Sequence, residues 1–210
     1  MEYETEEQQV EALKAWWNEN GRAVITGVVL GGAVIGGWTL WQNRIETQAI
    51  AASDGFSQTI EAVNSSDNEA AATLADGLQD DQPDSLYSSY ANLAAARTDI
   101  ENENLSGAAD RLQWVAENAP QTDVQLIAKV RLARVQGALG DASAGLSSLP
   151  STFPEAFAGL VEEARGDLLT IKGEPDAART AYEAAEKSEY VADREGLTMK
   201  LNELAKADAS

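Results

Sequence analysis

The apolar residues of this chain follow two different patterns. Residues 23–41, with the sequence AVITGVVLGGAVIGGWTLW, form a run of nineteen without a charge. From residue 45 onward, apolar residues recur at steps of three and four, which is typical of amphipathic helices. A helix rises about 1.5 Å per residue, so the run matches a hydrocarbon core of roughly 30 Å. The pattern therefore predicts an all-α chain with a single N-terminal transmembrane helix, residues 23–41, and a helical domain behind it.

Tryptophans stand near both ends of the apolar run. They are Trp16, Trp17, Trp38 and Trp41. An indole ring has an apolar body and one polar edge, so we expect these four side chains to anchor the helix at the membrane surfaces. Thr26 and Thr39 lie inside the run, and each hydroxyl can bond to the backbone of its own helix.

Neither a buried core helix nor a cleaved signal peptide accounts well for the run. The rest of the chain is not apolar enough to surround a core helix of this kind. Residues 49–51 offer a small-x-small cleavage site, but the run is too long for a signal peptide and follows an acidic segment. We therefore predict a retained anchor.

Basic residues near the run indicate its orientation. Lys14 and Arg22 lie on the N-terminal side and Arg44 on the C-terminal side, so the positive-inside rule favours a cytoplasmic N-terminus by one residue. Residues 1–22 are then a cytoplasmic acidic tail, and residues 42–210 lie outside the cytoplasm.

The anchor is rich in glycine at helical spacing. Two G-x-x-x-G pairs overlap within it, and the glycines are Gly27, Gly31, Gly32, Gly36 and Gly37. Small residues at this spacing let a second membrane helix approach closely. We expect these glycines to contact another helix, either of a second copy or of another protein.

Small residues also recur with a longer period behind the anchor. Ala71, Ala108, Ala144 and Ala178 are separated by 37, 36 and 34 residues. That is the period of a helix-turn-helix repeat, in which a small residue lies where the two helices of a hairpin cross. Glycines end first helices and prolines stop second ones, as Pro150 does after a short second helix.

The last of these units resembles a tetratricopeptide repeat. The motif's small, apolar, turn and aromatic positions are occupied by Gly166, Leu169, Gly173, Ala178, Tyr182 and Ala185. Over the whole domain, the residues expected to pack the repeats are Ala71, Ala108, Gly140, Gly166, Gly173, Ala178 and Tyr182. Apolar residues from Val191 to Leu204 predict a C-terminal helix that caps a tetratricopeptide-like solenoid.

Charge and composition exclude several classes of function. The formal net charge is −20, and the 12 basic and 29 acidic side chains from Glu46 onward give the soluble part −17. Such a surface repels nucleic acid phosphates. The chain has no cysteine and no histidine, so thiol chemistry and the commonest metal ligand are absent. We predict no cofactor, no metal site and no catalytic residues.

Two kinds of charged cluster remain to be explained. The densest carboxylates are Asp80–Asp81, Glu101 with Glu103, and Glu162–Glu163, and a carboxylate-based hydrolase would need such a pair. Solvated helix surfaces are the simpler interpretation. Residues 129–134 contain three basic side chains, Lys129, Arg131 and Arg134, which either pair with neighbouring carboxylates or receive an acidic or C-terminal carboxylate group of a partner.

The whole chain resembles the YfgM family, the ancillary subunits of the bacterial Sec (SecYEG) translocon. The likeness is most specific in residues 7–42, where a tail of the form E-x-x-Q-V-E-A-L-K-A-W-W-x-E-N-G precedes a glycine-rich helix ending in G-W-x-x-W. The resemblance implies a single-pass inner-membrane protein with its repeats in the periplasm. It also implies binding to the translocon channel subunits and to a membrane-anchored periplasmic chaperone of the prolyl-isomerase type.

The predicted function is therefore that of a non-enzymatic interaction protein. As an ancillary subunit of the Sec translocon, it would pass emerging, unfolded client chains to periplasmic chaperones. The alternative is a homo-oligomeric, membrane-tethered scaffold in which the glycine face of the anchor pairs with itself.

Overall fold

A computed structural model of the protein describes residues 6–191 and 193–207, and all regular structure in them is helical. The predicted all-α fold class is confirmed. The helices are α1 Glu6–Asn64, α2 Asn68–Asp81, α3 Leu86–Glu101, α4 Leu105–Asn118, α5 Thr122–Ala138, α6 Ala142–Ser148, α7 Ala158–Lys172, α8 Pro175–Glu186 and α9 Arg194–Ala207, with a 3-10 turn at Glu155–Phe157. The chain divides into two compact units, the first ending at Ile50 and the second beginning at Ala51.

The first unit carries the apolar run on an exposed helix. Among the described residues, α1 is the helix that is long and apolar enough to cross a membrane, and none of its most apolar stretch is buried. Val34 and Leu40 are 72% and 73% exposed. The hydroxyl of Thr26 donates to the carbonyl of Arg22 at 2.8 Å, and that of Thr39 to the carbonyl of Ile35 at 2.9 Å. Both polar side chains are therefore satisfied within the helix, as the sequence predicted.

The second unit is built from helical hairpins with short turns. In each of the four hairpin turns one residue has a positive φ, namely Ser66, Glu103, Gly140 or Gly173. Asp67, Asn104 and Asp141 then cap the second helices, and their side chains accept the backbone N–H of the residue three positions later at 3.0, 3.2 and 2.8 Å. Side-chain caps thus set where α2, α4 and α6 begin, whereas α8 begins at Pro175 without a side-chain cap.

The same buried position recurs in all four second helices. Ala71, Ala108, Gly145 and Ala178 each lie four residues after the N-cap and donate their N–H to its carbonyl. All four are buried. Ala144, chosen from the sequence as the marker of the third unit, is therefore wrong by one residue. Gly145 holds the position because an added Cβ would lie 2.6 Å from the carbonyl oxygen of Ala133 on α5.

Helix α5 is the centre of the second unit. It packs against α4, α6 and α7. Its buried side chains lie on two opposite faces of the helix: Val124, Ala128, Leu132 and Val135 on one, and Leu126, Val130 and Ala133 on the other. At the C-terminal end, Leu197 and Leu204 of α9 pack on Ala178, Tyr182 and Ala185 of α8. Helix α9 therefore covers the last hairpin, as a capping helix does.

Candidate interaction surfaces

Two carboxylates of α7 connect four helices. Asp167 accepts hydrogen bonds on Oδ1 from Lys200 Nζ at 2.7 Å and from the Tyr182 hydroxyl at 2.9 Å. Glu163 accepts from the same Lys200 at 2.7 Å. Arg134 of α5 lies 3.6 Å from Asp167 and 3.8 Å from Glu163. The cluster therefore ties α5, α8 and α9 to α7.

Two members of this ion cluster, Tyr182 and Lys200, have shifted pKa values. Burial is the main reason why the pKa of Tyr182 rises to about 12, and the charge of Asp167 adds to the effect. Burial alone would lower the pKa of Lys200, but hydrogen bonds to Asp167 and Glu163 outweigh it and raise that pKa. Neither group therefore changes charge near neutral pH, so the cluster is a fixed structural contact there.

The glycines at the predicted packing positions have two different structural roles, close helix packing and left-handed turn conformation. The Tyr182 ring lies against Gly166, where a Cβ would overlap the ring atoms. Gly173 ends α7 in the left-handed conformation with a φ of 80°, and Gly140 has a φ of 90° in the turn after α5. Gly140 is exposed and touches nothing that an added Cβ would meet. Its contribution is to the turn and not to helix packing, which the structure places one turn later at Gly145.

An arginine that the sequence did not single out joins three further helices. Arg111 of α4 donates from Nη1 to Asp76 Oδ1 at 2.6 Å and to Asn92 Oδ1 at 3.1 Å, and from Nε to Asp99 Oδ2 at 3.0 Å. Asn92 is fully buried and donates to the carbonyls of Ala75 and Ser88. These partners lie 12 to 35 positions away along the chain, so no local motif marks them.

The basic side chains at residues 129–134 do not form one cluster. Arg134 joins the ion cluster with Glu163 and Asp167, whereas Lys129 lines a cavity between α4 and α5. Arg131 faces neither and is exposed. Its pKa is lowered, first by partial desolvation and then by the positive charges of Arg134 and Arg97. Ion pairing therefore explains Arg134 but leaves Lys129 and Arg131 without a carboxylate in the described part of the chain.

Aromatic side chains form a partly exposed patch at the other end of the second unit. Phe56 lies with its ring centre 5.8 Å from that of Tyr87 and 6.1 Å from that of Tyr90. The two tyrosines are 37% and 36% exposed. This patch presents apolar surface with hydroxyl groups at its edge, a composition that suits contact with another polypeptide.

The cavity beside Lys129 has a volume of about 450 Å³ and is open to solvent. It lies where the second helix of the third hairpin is short: α6 has 7 residues, whereas α2, α4 and α8 have 14, 14 and 12. Pro150 follows α6 and prevents its continuation. The position of Pro150 in the sequence predicts the short helix, but no local pattern indicates that a cavity lies beside it.

The carboxylates considered for a hydrolase are either paired with basic side chains or exposed. Glu162 pairs with Arg165 at 3.1 Å, and Glu163 belongs to the ion cluster. Asp80 and Asp81 are exposed at the end of α2. Glu101 is paired with Arg97 at 2.8 Å. Within residues 6–191 and 193–207, no group of three or more acidic side chains is arranged to hold a metal ion.

The anchor residues all lie on α1, in the first unit. A Cβ added at any of the five glycines would meet no atom within 4 Å; these are Gly27, Gly31, Gly32, Gly36 and Gly37. Trp38 and Trp41 are neighbours, with ring centres 5.1 Å apart, and the rings of Trp16 and Trp17 are 6.5 Å apart. All four tryptophans are about half exposed.

Helical hairpins whose small packing residues, Ala71, Ala108, Gly145 and Ala178, recur at spacings of 37, 37 and 33 positions define a tetratricopeptide-like protein. Residues 14–206 match the family model of the tetratricopeptide repeat-like domain. The chain is similar to proteins named ancillary SecYEG translocon subunit. It is 32% identical to that of Escherichia coli (strain K12) over 204 residues, which cover 97% of this chain and 98% of that protein.

Relatives with the same name from two other bacteria align with similar identity and coverage. The chain is 29% identical over 199 residues to the subunit of Haemophilus influenzae and 28% identical over 202 residues to that of Neisseria gonorrhoeae. Each alignment covers 95% of this chain and 97% of the relative. No solved structure matches the chain. The protein belongs to the tetratricopeptide repeat-like family of ancillary SecYEG translocon subunits.

Proposed function

We propose that the protein is a membrane-anchored adaptor of the Sec translocon. Residues 23–41 cross the inner membrane, residues 1–22 lie in the cytoplasm, and the hairpin domain lies in the periplasm. The glycines of the anchor contact a membrane helix of the translocon channel. The hairpin domain binds emerging client chains and a membrane-anchored chaperone of the prolyl-isomerase type, and so passes clients to periplasmic chaperones.

The main support for the proposal is the alignment with known relatives, taken together with the exposed apolar helix. The chain aligns over nearly its full length with ancillary SecYEG translocon subunits, and the aligned part includes an apolar helix that the fold leaves uncovered. An uncovered apolar stretch of this length is stable only in an apolar solvent or against a partner. A membrane containing the translocon supplies both.

The five open glycines support a contact within the membrane. Leucine side chains at Gly31 and Gly32 would hold a neighbouring helix away by the length of a side chain, while the second unit, which contains neither residue, keeps its own packing. These substitutions should therefore disrupt the contact within the membrane without unfolding the second unit.

The first test is purification of the full-length protein from its native membrane in mild detergent, followed by mass spectrometry. We expect translocon channel subunits and a periplasmic chaperone in stoichiometric amounts. The variant Gly31→Leu/Gly32→Leu should lose the channel subunits, whereas Val28→Leu, an exposed position between the two glycine faces of the same span, should retain them. Recovery of the protein alone, in two or more copies, would contradict the adaptor and favour the homo-oligomeric scaffold.

The orientation has its own test. Since the chain has no cysteine, a single introduced cysteine reports its position without background. A membrane-impermeant maleimide applied to spheroplasts should label Glu183→Cys in α8 and leave Glu11→Cys in the tail unlabelled until the membrane is permeabilised. The opposite labelling would reverse the proposed topology.

A further inference from the structure

The cavity beside the short helix α6 has the composition of a recognition site. Its apolar wall includes Leu132 of α5 and Leu149 after α6. Its polar lining includes Lys129 and Gln136 of α5 and Ser151. At about 450 Å³, it is in the size range of sites that hold a small ligand or a few side chains.

Lys129 is the one basic side chain in this lining. It has no carboxylate within ion-pair distance among the residues that the structure describes, although the sequence from Ala51 onward carries 28 acidic and only 12 basic side chains. The open cavity leaves the ammonium group accessible, and a carboxylate that enters the cavity gives it a charged partner.

A second donor is oriented by the short helix itself. The Ser148 hydroxyl donates to Gln136 Oε1 at 2.7 Å, which turns the amide of Gln136 so that its nitrogen is left to donate elsewhere. The lining contains one carboxylate, that of Glu117, and Gln113 donates to it at 3.0 Å. An ammonium and an amide N–H in one cavity together match the oxygens of a carboxylate.

We propose that this cavity binds an extended segment of a partner protein that places an aspartate or glutamate side chain at Lys129 and an apolar side chain on Leu132 and Leu149. The cavity is open to solvent, so a chain can pass through it, whereas small molecules are usually enclosed on most of their surface. The proposal deepens the adaptor function and rests on it, because it specifies what the hairpin domain recognises.

The test measures binding of a defined peptide to the full-length protein in detergent by fluorescence anisotropy. The probe is a fluorescein-labelled octapeptide, blocked at both ends, with the central sequence Leu-Asp-Leu. We expect it to bind, and we expect Leu-Asn-Leu to bind at least about tenfold more weakly, since a charge-assisted contact is lost. A third peptide, Leu-Ser-Leu with a free C-terminal carboxylate, should also bind weakly.

Variants locate the binding in the cavity. Lys129→Gln should weaken Leu-Asp-Leu binding by about tenfold or more, and Lys129→Arg should largely restore it. The matched control is Lys187→Gln, an exposed lysine at the end of α8. Ser151→Trp, which fills the cavity from an exposed position, should also abolish binding without lowering helix content.

Three results would overturn the proposal. They are failure of Leu-Asp-Leu to bind the wild-type protein, equal binding of the aspartate and asparagine peptides, and an equal loss in Lys129→Gln and Lys187→Gln. Tighter binding of the free carboxylate peptide would replace the proposed segment by a chain terminus. The assay contains no translocon, so its failure is distinct from failure of the copurification that tests the anchor.

Discussion

The ring of Tyr182 on α8 occupies the space that a side chain on Gly166 of α7 would need. A Cβ at residue 166 would overlap ring atoms of Tyr182, and the hydroxyl of that ring is held by Asp167, the next residue of α7. The ring is therefore fixed at both ends, because moving it away from α7 breaks the hydrogen bond. Close approach of the two helices depends on the absence of a side chain at Gly166.

Gly166→Ala should destabilise the second unit by about 1–3 kcal/mol, because the overlap costs more than alanine gains in helix propensity. The control is Gly77→Ala on α2, where an added Cβ meets nothing and the same substitution should stabilise by about 0.5–1 kcal/mol. Chemical unfolding of the full-length protein in detergent, followed by circular dichroism, measures both. Equal effects of the two substitutions would show that the ring can move aside.

The cluster around Asp167 predicts a loss of stability in alkali. The pKa of Tyr182 rises from 10 in the unfolded chain to about 12 in the fold, so between these values the unfolded chain has released a proton that the folded protein keeps. The contribution of Tyr182 to the free energy of unfolding is therefore fully present below about pH 10 and falls as the pH rises towards 12. The raised pKa of Lys200 acts in the same direction, because its ion pairs are present below its unfolded value of 10.5 and lost above its folded one.

Ultraviolet difference titration measures this directly. The tyrosinate absorbance of wild-type protein minus that of Tyr182→Phe should show a midpoint near pH 12. The alkaline fall in stability should also be shallower in Tyr182→Phe than in the wild type. A difference midpoint near 10 would mean that the Tyr182 hydroxyl is neither buried nor bound by Asp167.

Substitution of Arg111 should lower the stability of the fold far more than substitution of Arg97. The side chain of Arg111 is 13% exposed and bonds to groups on α2 and α3, whereas Arg97 is 74% exposed and pairs with Glu101 on its own helix. Arg111→Met should destabilise by about 2 kcal/mol or more, since it leaves Asp99 Oδ2 and the buried Asn92 Oδ1 without their donor. Arg97→Met should change stability by less than about 0.5 kcal/mol. Similar melting points for the two variants would contradict a structural role for the Arg111 cluster.

Features of the fold that depend on neighbouring residues were predictable from the sequence. A proline such as Pro150 after a helix, a turn glycine such as Gly173 and an uncharged run of nineteen residues are all recognisable within a short stretch of sequence. They were sufficient to predict an all-α chain with one apolar helix and a tetratricopeptide-like domain.

Contacts between distant positions were not predictable in this way. Arg111 meets Asp76 across 35 residues and Lys200 meets Glu163 across 37, and nothing in either local sequence indicates the partner. Helix α5 is buried on two opposite faces, so its apolar residues form no single stripe that would show which helices cover it. The cavity at Lys129 exists because the short helix α6 leaves part of α4 and α5 uncovered. This can be recognised only once the positions of α4, α5 and α6 in the fold are known.

The third hairpin offers a test between the sequence marker and the structural one. If Ala144 were the packing position, enlarging it would be costly and Gly145 would accept a methyl group. The structure predicts the reverse: Ala144 is half-buried, whereas a Cβ on Gly145 would lie 2.6 Å from the backbone oxygen of Ala133 and 2.7 Å from Leu168. A backbone oxygen inside a helix cannot turn away as a side chain can, so Gly145→Ala should destabilise by about 2 kcal/mol or more, and Ala144→Ser by less than about 1 kcal/mol. Chemical unfolding of both variants and of the wild type measures these losses. A larger loss of stability in Ala144→Ser than in Gly145→Ala would show that Ala144 is the packing position and that α6 is shifted by one residue relative to α5.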